Sequence, residues 1–338
     1  MPTTKTKKNA RHTFHLHVEN SRKRPPLFQL TEPIYAAAEK RHRALAKKLK
    51  VTIGWDGDIL DDAIQSADFM INSMPPRERL RERAPKLQWL QTTGAGIDGL
   101  LPLDWLPADV ILTNNSGAHG AKAEDSCTMA LLMLQQRMPS IVANQRDKKW
   151  EAIYTEPIAG KTAVIIGFGD LGSAAGRAAH KLGLKVIAVT RSGKAGRPAH
   201  AVCKASRIDS VLAKADFVIV TTPLTADTRN LLNRERLDLL KPTAGIINIG
   251  RSPVIDYAAL LEKLGKNELS GAVLDVHSPE PLPADSPMWT ARNVIVMPHV
   301  SCDDPRYMDF LCDSWFENFA RKLAGKPLNN QVDRKLGY

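Results

Sequence analysis

The chain predicts an α/β fold of two domains, each a parallel sheet covered by helices. Three observations carry this expectation. Short apolar runs alternate with helical patterns along most of the chain, the pattern of linked β-α-β units. A G-x-G-x-x-G turn made by Gly167, Gly169 and Gly172 follows one apolar run, 163–166, and opens a helical pattern rich in small residues that leads to a second apolar run, 186–189. The length of 338 residues suits two domains rather than one.

The elements follow in order. Residues 1–12 are basic but carry no apolar segment, so they read as a disordered leader and not as a secretory signal. Strands are expected over 15–18, 51–55, 69–73, 87–92 and 110–113. Between them fall a basic amphipathic helix over 32–49 and shorter helices over 60–66 and 76–83. The fourth strand ends in TTGAGID, where residues 94–98 make a tight loop at a strand's carboxyl end, the edge at which open α/β sheets bind ligands. NNSGAHG, 114–120, is a candidate hinge. Helices over 123–136 and 140–149 are separated by Pro139. Beyond the glycine turn come strands over 217–220, 245–248, 273–276 and 294–296, helices over 234–240 and 257–264, and a terminal helix over 307–323. The first domain is then 13–114 with 301–338, the second is 115–300, a cleft is expected between them, and the terminal helix returns to the first domain across a second hinge near His299.

Composition narrows the function classes. With 43% apolar and 25% charged residues the chain can fill two cores. No apolar run approaches the ~18 residues of a membrane span. Cys127, Cys203, Cys302 and Cys312 show no metal-ligand spacing, so no metal is expected, and unpaired thiols fit the cytoplasm. The formal charge of +11 is scattered, without interleaved aromatic residues, which argues against nucleic acid and is compatible with anionic ligands.

In the central turn, Gly167 allows the bend, Gly169 lets backbone approach a pyrophosphate, and Gly172 lets helix and strand pack closely. Asp170 and Leu171 open the helix, whose free N–H groups favour phosphate. The residues after the second strand select the dinucleotide. An NAD site normally has an acid there, but no carboxylate occurs from Lys181 to Ser206. Thr190, Arg191 and Ser192, with Lys194, suit a 2′-phosphate instead, so NADP(H) is the expected cofactor, with NAD(H) possible. The alternative, that Arg191 is a solvated loop cation, stays open.

Three later loops carry Arg251, Glu280 and His299, all at the carboxyl edge of the same sheet. Together they suit reduction of a 2-keto acid. Arg251 can pair with a carboxylate or polarise a ketone, His299 can donate a proton, and Glu280 can fix the imidazole tautomer. Each residue alone also has a bland structural reading.

These motifs resemble the D-isomer-specific 2-hydroxyacid dehydrogenase family, within it the NADP-dependent glyoxylate/hydroxypyruvate reductases. GAGID resembles the loop whose amides, at Ala95 and Gly96, hold the substrate carboxylate. GFGDLG is the cofactor turn, and TTPLTADTRNLL, with Thr222, Pro223 and Thr228, resembles the loop flanking the adenosine. INIGRSPVID supplies Ile249, Gly250 and Arg251; GAVLDVHSPEPLPADSPMW and NVIVMPH supply Asp275, Glu280 and His299. In the family the acid at the position of Asp275 contacts the nicotinamide amide. The resemblance implies hydride transfer to a small 2-keto acid giving a D-2-hydroxy acid, a homodimer formed through the helices near 123–149 with Trp150 at the interface or simply packed, and neither membrane nor nucleic-acid partners. Ser252-Pro253 after the arginine, Asp125 and His277 depart from the commoner family residues, which bears on substrate identity. The substrate side-chain pocket is expected near Met74, Pro75, Trp289 and Cys302. Two alternatives remain. One is NAD-dependent oxidation of a hydroxy acid such as phosphoglycerate, although the chain ends at Tyr338 without the regulatory domain of many such enzymes. The other is a dinucleotide-sensing interaction protein of corepressor type.

Overall fold

The computed structural model describes residues 14–337. The leader expected over 1–12 lies outside the described residues. The chain runs β1 (Phe14–Asn20), α1 (Glu32–Arg41), α2 (Arg43–Ala46), β2 (Leu49–Trp55), α3 (Leu60–Ile64), β3 (Phe69–Ile71), α4 (Leu80–Arg83), β4 (Trp89–Gln91) and β5 (Ile111–Thr113). It continues with α5 (Gly120–Gln135), α6 (Met138–Arg146), β6 (Thr162–Ile166), α7 (Asp170–Lys181), β7 (Lys185–Thr190), β8 (Ala201–Lys204), α8 (Asp209–Leu212), β9 (Phe217–Val220) and α9 (Arg234–Asp238). Last come β10 (Gly245–Asn248), α10 (Tyr257–Gly265), β11 (Gly271–Leu274), β12 (Val294–Val296) and α11 (Tyr307–Leu323).

The chain divides into two compact units. One holds the described residues up to Ala118 and from Pro305 onward; the other is His119–Asp304. These crossings fall four residues beyond the expected 114 and 300. Ser301 explains the later one, because its amide and hydroxyl bind Asp275 inside the second unit.

The first unit is a five-stranded sheet in the order β2-β1-β3-β4-β5, with every pair parallel. Its core is aromatic. Trp89 of β4 stacks on Trp315 of α11 at 5.0 Å, and Phe69 packs edge-on against both Trp89 and Phe319. The terminal helix therefore returns to the first sheet as the sequence predicts. The helix expected over 32–49 breaks at His42, which leaves the helical region (φ −111°, ψ 32°). Its ring is drawn to α11, where it bonds Asp313 at 2.6 Å and stacks on Phe316 at 4.6 Å. The helix expected over 76–83 shortens to α4 because Arg79 takes a left-handed φ of 52°.

The second unit is a seven-stranded parallel sheet, β12-β11-β10-β9-β6-β7-β8. The order reverses between β6 and β9, the switch point at which such sheets bind ligands. One face buries α7 through Ala174, Ala175, Ala178 and Ala179, small enough to bring the helix close to β6. The other face buries Leu237 of α9 and Leu260 and Leu264 of α10. Two details differ from expectation. β11 lies two residues earlier than 273–276, in the register that pairs Gly245 with Gly271. Edge strand β8 has no counterpart in the expected elements, because it is only four residues long and mostly exposed. Among the described residues no helix is long and apolar enough to cross a membrane.

Candidate active site

The glycine turn joins β6 to α7. Gly167 stands at φ +88°, where a β-carbon would be strained and would press on Thr222. A β-carbon on Gly172 would collide with the Gly167 carbonyl oxygen, so that glycine sets the helix-to-strand distance. Beside Gly169 the space is open. Asp170 begins α7 in an exposed position and Leu171 packs on the core beneath. The Thr221 hydroxyl donates to the carbonyls of Ile166 (3.1 Å) and Gly167 (3.0 Å), bracing the turn. Thr222 Oγ1 is buried with no hydrogen-bond partner. An open turn, a close-packed helix N-terminus and an orphaned hydroxyl beside them fit a dinucleotide phosphate.

At the carboxyl end of β7, the Thr190 hydroxyl donates to the Lys194 carbonyl (3.1 Å) and the Lys194 amide to Ser192 Oγ (3.2 Å). This local turn leaves Arg191, Ser192 and Lys194 all exposed together. The loop after β9 is closed by Thr228, whose hydroxyl donates to the Pro223 carbonyl (2.7 Å) and accepts the Thr225 amide (2.8 Å).

Arg251 follows β10, past a fully buried Asn248. That side chain accepts the Gly250 amide (3.0 Å) and donates to the Arg251 carbonyl (3.2 Å) and to Tyr257 Oη (3.0 Å). Tyr257 in turn donates to the Val276 carbonyl (2.8 Å), and burial pushes its phenol well above the usual range. Ile249 is buried below, and a β-carbon on Gly250 would press on the Thr222 backbone. The arginine is thus held on a backbone frame before any ligand arrives.

His299 and Glu280 form a pair, with Nδ1 2.8 Å from Oε2. The other Glu280 oxygen accepts the His277 amide (2.7 Å). Burial alone would raise the Glu280 carboxyl, but the His277 amide and the imidazole hold it below its ordinary range. The pair orients Nε2 of His299 away from the carboxylate, as a proton donor requires. His299 sits at φ +56°, a left-handed conformation costly for a residue with a β-carbon. What holds it there is Asp275, only 1% exposed. Its carboxylate accepts the amides of Val300 (2.9 Å) and Ser301 (3.2 Å) and the Ser301 hydroxyl (2.5 Å). The residue expected at the nicotinamide amide is therefore engaged with the histidine loop. Ser126 of α5 donates to the Ser301 carbonyl (2.7 Å), and His119 Nδ1 meets the Cys302 carbonyl (3.0 Å). Sequence reasoning missed Thr221 and Ser301. The signal for each was a hydroxyl residue adjoining a motif, too common to weigh alone. Burial pushes the Cys302 thiol up to about 12, so it is an inert neighbour rather than a nucleophile.

In the first unit, the loop 94–98 is fixed through its carbonyls. Asn115 donates its amide to the Gly94 carbonyl (3.1 Å), Thr92 its hydroxyl to the same oxygen (2.8 Å), and Asn114 its Nδ2 to the Ala95 carbonyl (2.9 Å). The amides of Ala95 and Gly96 have no acceptor among the described residues. The loop borders a pocket of about 710 Å³ lined also by Met74 and Pro75. Trp289 and Cys302, expected near the same pocket, belong to the second unit.

Comparison with known proteins points to one family. The family model described as the NAD-binding domain of D-isomer specific 2-hydroxyacid dehydrogenases matches residues 128–301. Glyoxylate/hydroxypyruvate reductase B of Pectobacterium atrosepticum is 30% identical over 75% of this chain and 82% of its own. The protein of the same name from Serratia proteamaculans is 28% identical over 82% and 88%. Among solved structures, a D-isomer specific 2-hydroxyacid dehydrogenase from Xanthobacter autotrophicus in complex with NADPH and MES superposes with a TM-score of 0.82 at 29% identity, over 96% of this chain and 100% of that one. An NADPH-dependent glyoxylate/hydroxypyruvate reductase from Sinorhizobium meliloti in complex with NADP and sulfate gives 0.81 at 27%, with the same coverage.

Proposed function

The chain belongs to the D-isomer-specific 2-hydroxyacid dehydrogenases, and from that premise we propose that it is an NADPH-dependent reductase of glyoxylate or hydroxypyruvate. The coarser statement stands by itself: the protein is an oxidoreductase that uses a nicotinamide dinucleotide. The observation that carries keto-acid reduction is the His299–Glu280 pair, set by Asp275 at the carboxyl edge of the sheet that bears the glycine turn.

The bound dinucleotide supplies the hydride that reduces the ketone carbon. The residues of this chain do the rest. Gly167, Gly169, Asp170, Leu171 and Gly172 seat the pyrophosphate through backbone, with Thr222 and Gly250 alongside. Thr190, Arg191 and Ser192 face a 2′-phosphate; their support is an exposed cationic turn without a carboxylate. Ala95 and Gly96 offer amides to the substrate carboxylate. Arg251 polarises the ketone oxygen, and His299 protonates it from Nε2 while Glu280 holds Nδ1–H. We also read the protein as cytoplasmic, on its four unpaired cysteines, and as a homodimer, on the fully exposed Trp150 and Tyr154 beyond α6. The test is the oxidation of NADPH and of NADH with glyoxylate, hydroxypyruvate and pyruvate. Turnover with glyoxylate or hydroxypyruvate, faster with NADPH, is expected. Dinucleotide binding without turnover of any keto acid would instead favour a sensor.

A further inference from the structure

The pocket bordered by loop 94–98 is lined by three guanidinium groups, Arg24, Arg77 and Arg83, and one carboxylate, Glu78. In the reading above, the amides of Ala95 and Gly96 hold only the carboxylate of a two-carbon keto acid, a substrate far smaller than the 710 Å³ of the pocket. The arginines are not equivalent. Arg83 is taken up by Asp61. Arg77 donates to the Gly99 carbonyl and lies 5.8 Å over Trp105, bracing the end of the loop. Arg24 differs from both. It is half-buried, its guanidinium lies 5.0 Å over the Phe28 ring, and it has neither an ion pair nor a side-chain hydrogen bond among the described residues.

Its position is also prepared. Gln29 Nε2 donates to the Arg24 carbonyl (2.8 Å) and to that of Ser21 (3.2 Å). Ser21 and Arg22 are tied to Asp56. Pro25 and Pro26 then restrict the backbone that follows. A desolvated guanidinium costs free energy unless an anion meets its donors, and burial does hold the Arg24 guanidinium below its usual range. The fold thus keeps a cation, without an ion pair among the described residues and with its backbone fixed, in the pocket that Gly94 and Gly96 also line.

We propose that this pocket selects 2-keto acids carrying a second anionic group, a distal carboxylate or phosphate, and that Arg24 is the residue that binds it, assisted by Arg77. The inference rests on the keto-acid reading above. It does not follow from that reading, since glyoxylate has no second anion.

The test compares kcat/KM, with NADPH, for 2-oxoglutarate and 3-phosphohydroxypyruvate against uncharged-tail 2-oxobutyrate, in the full chain and in Arg24→Gln and Arg24→Lys. The native chain is expected to prefer a keto acid with a second anionic group, and the two such substrates show whether carboxylate or phosphate is meant. Arg24→Gln should cut the preference roughly tenfold to a hundredfold, the worth of one charge-assisted hydrogen bond, with partial recovery in Arg24→Lys. No preference in the native chain, or an unchanged ratio in Arg24→Gln, overturns the proposal. If no keto acid is turned over, the reductase reading fails separately. Calorimetric titration with 2-oxoglutarate then decides the pocket: binding lost in Arg24→Gln upholds it, and no binding to the native chain overturns it. Thermal unfolding of each variant confirms that it is folded.

Discussion

His299 occupies a backbone conformation it would not choose and holds it through the bonds that Asp275 makes to Val300 and Ser301. Catalytic role and structural cost are therefore separable. His299→Ala should lower kcat roughly 10²- to 10⁴-fold, because the proton donor is lost, while dinucleotide affinity changes little. A loss confined to cofactor binding would give the residue another role. Ser301→Ala removes one bond to Asp275 and leaves both amides in place. It should lower kcat by less than His299→Ala, and addition of imidazole should not restore it. Glu280 adds a pH dependence whose sign is fixed. Its folded-state carboxyl lies below its ordinary value, so its contribution is present above the ordinary carboxylate range and is lost as pH falls through the folded value. The stability difference between the native chain and Glu280→Gln should therefore be constant near neutrality and vanish in acid. Denaturant melts from pH 7 downward would measure it, and a difference that grew in acid would refute the pairing.

Elements carry the next scale. Along β1, alternate residues His15, His17 and Glu19 face one way and are buried. They form a hydrogen-bonded row: Ser66 Oγ to His15 Nδ1 (2.9 Å), His15 Nε2 to Thr52 (2.9 Å), Thr52 to His17 Nδ1 (2.9 Å), and His17 Nε2 to Glu19 (2.9 Å). Gly54 on β2 makes room for it, since a β-carbon there would lie 2.6 Å from Glu19 Oε2. Gly54→Ala should thus destabilise the fold by about 1–3 kcal/mol, the usual cost of overpacking, as read from urea unfolding. The strand itself was legible, because apolar Leu16 and Val18 alternate with these residues; the row was not, because Thr52 joins it only through strand pairing and Ser66 only from the turn after α3. The same reason hid β8, an exposed edge that only β7 defines. The end of β7 was legible, since the missing acid is a fact of sequence. Arg191→Asp should shift the kcat/KM preference from NADPH toward NADH, and an unchanged ratio would remove the phosphate-pairing argument.

At the scale of the molecule, the two parallel sheets and the return of α11 followed from alternation and apolar patterning, which each unit satisfies with its own core; the strand order within each sheet did not. The glycine turn and the Arg251, Glu280 and His299 loops were legible because each is a local string behind a strand. The cationic pocket was not, because Arg24 and Arg77 come from the loops after β1 and β3, and only the fold brings them to residues 94–98. Net charge was legible from the start, but its use was not. A chain with a formal charge of +11 attracts anions over a distance set by salt. At ~0.01 M ionic strength that reach is about 30 Å, and at ~0.1 M it is about 10 Å. A keto acid or a dinucleotide phosphate should be captured faster in the first case. Accordingly kcat/KM for an anionic keto acid should fall as salt rises, more steeply for a dianion than for a monoanion. The kcat value should hold nearly constant, since the proton donated by His299 moves only after capture. Steady-state rates across a chloride series would check this. Equal slopes for mono- and dianions would mean that long-range attraction by the protein's charge does not govern how substrate is gathered.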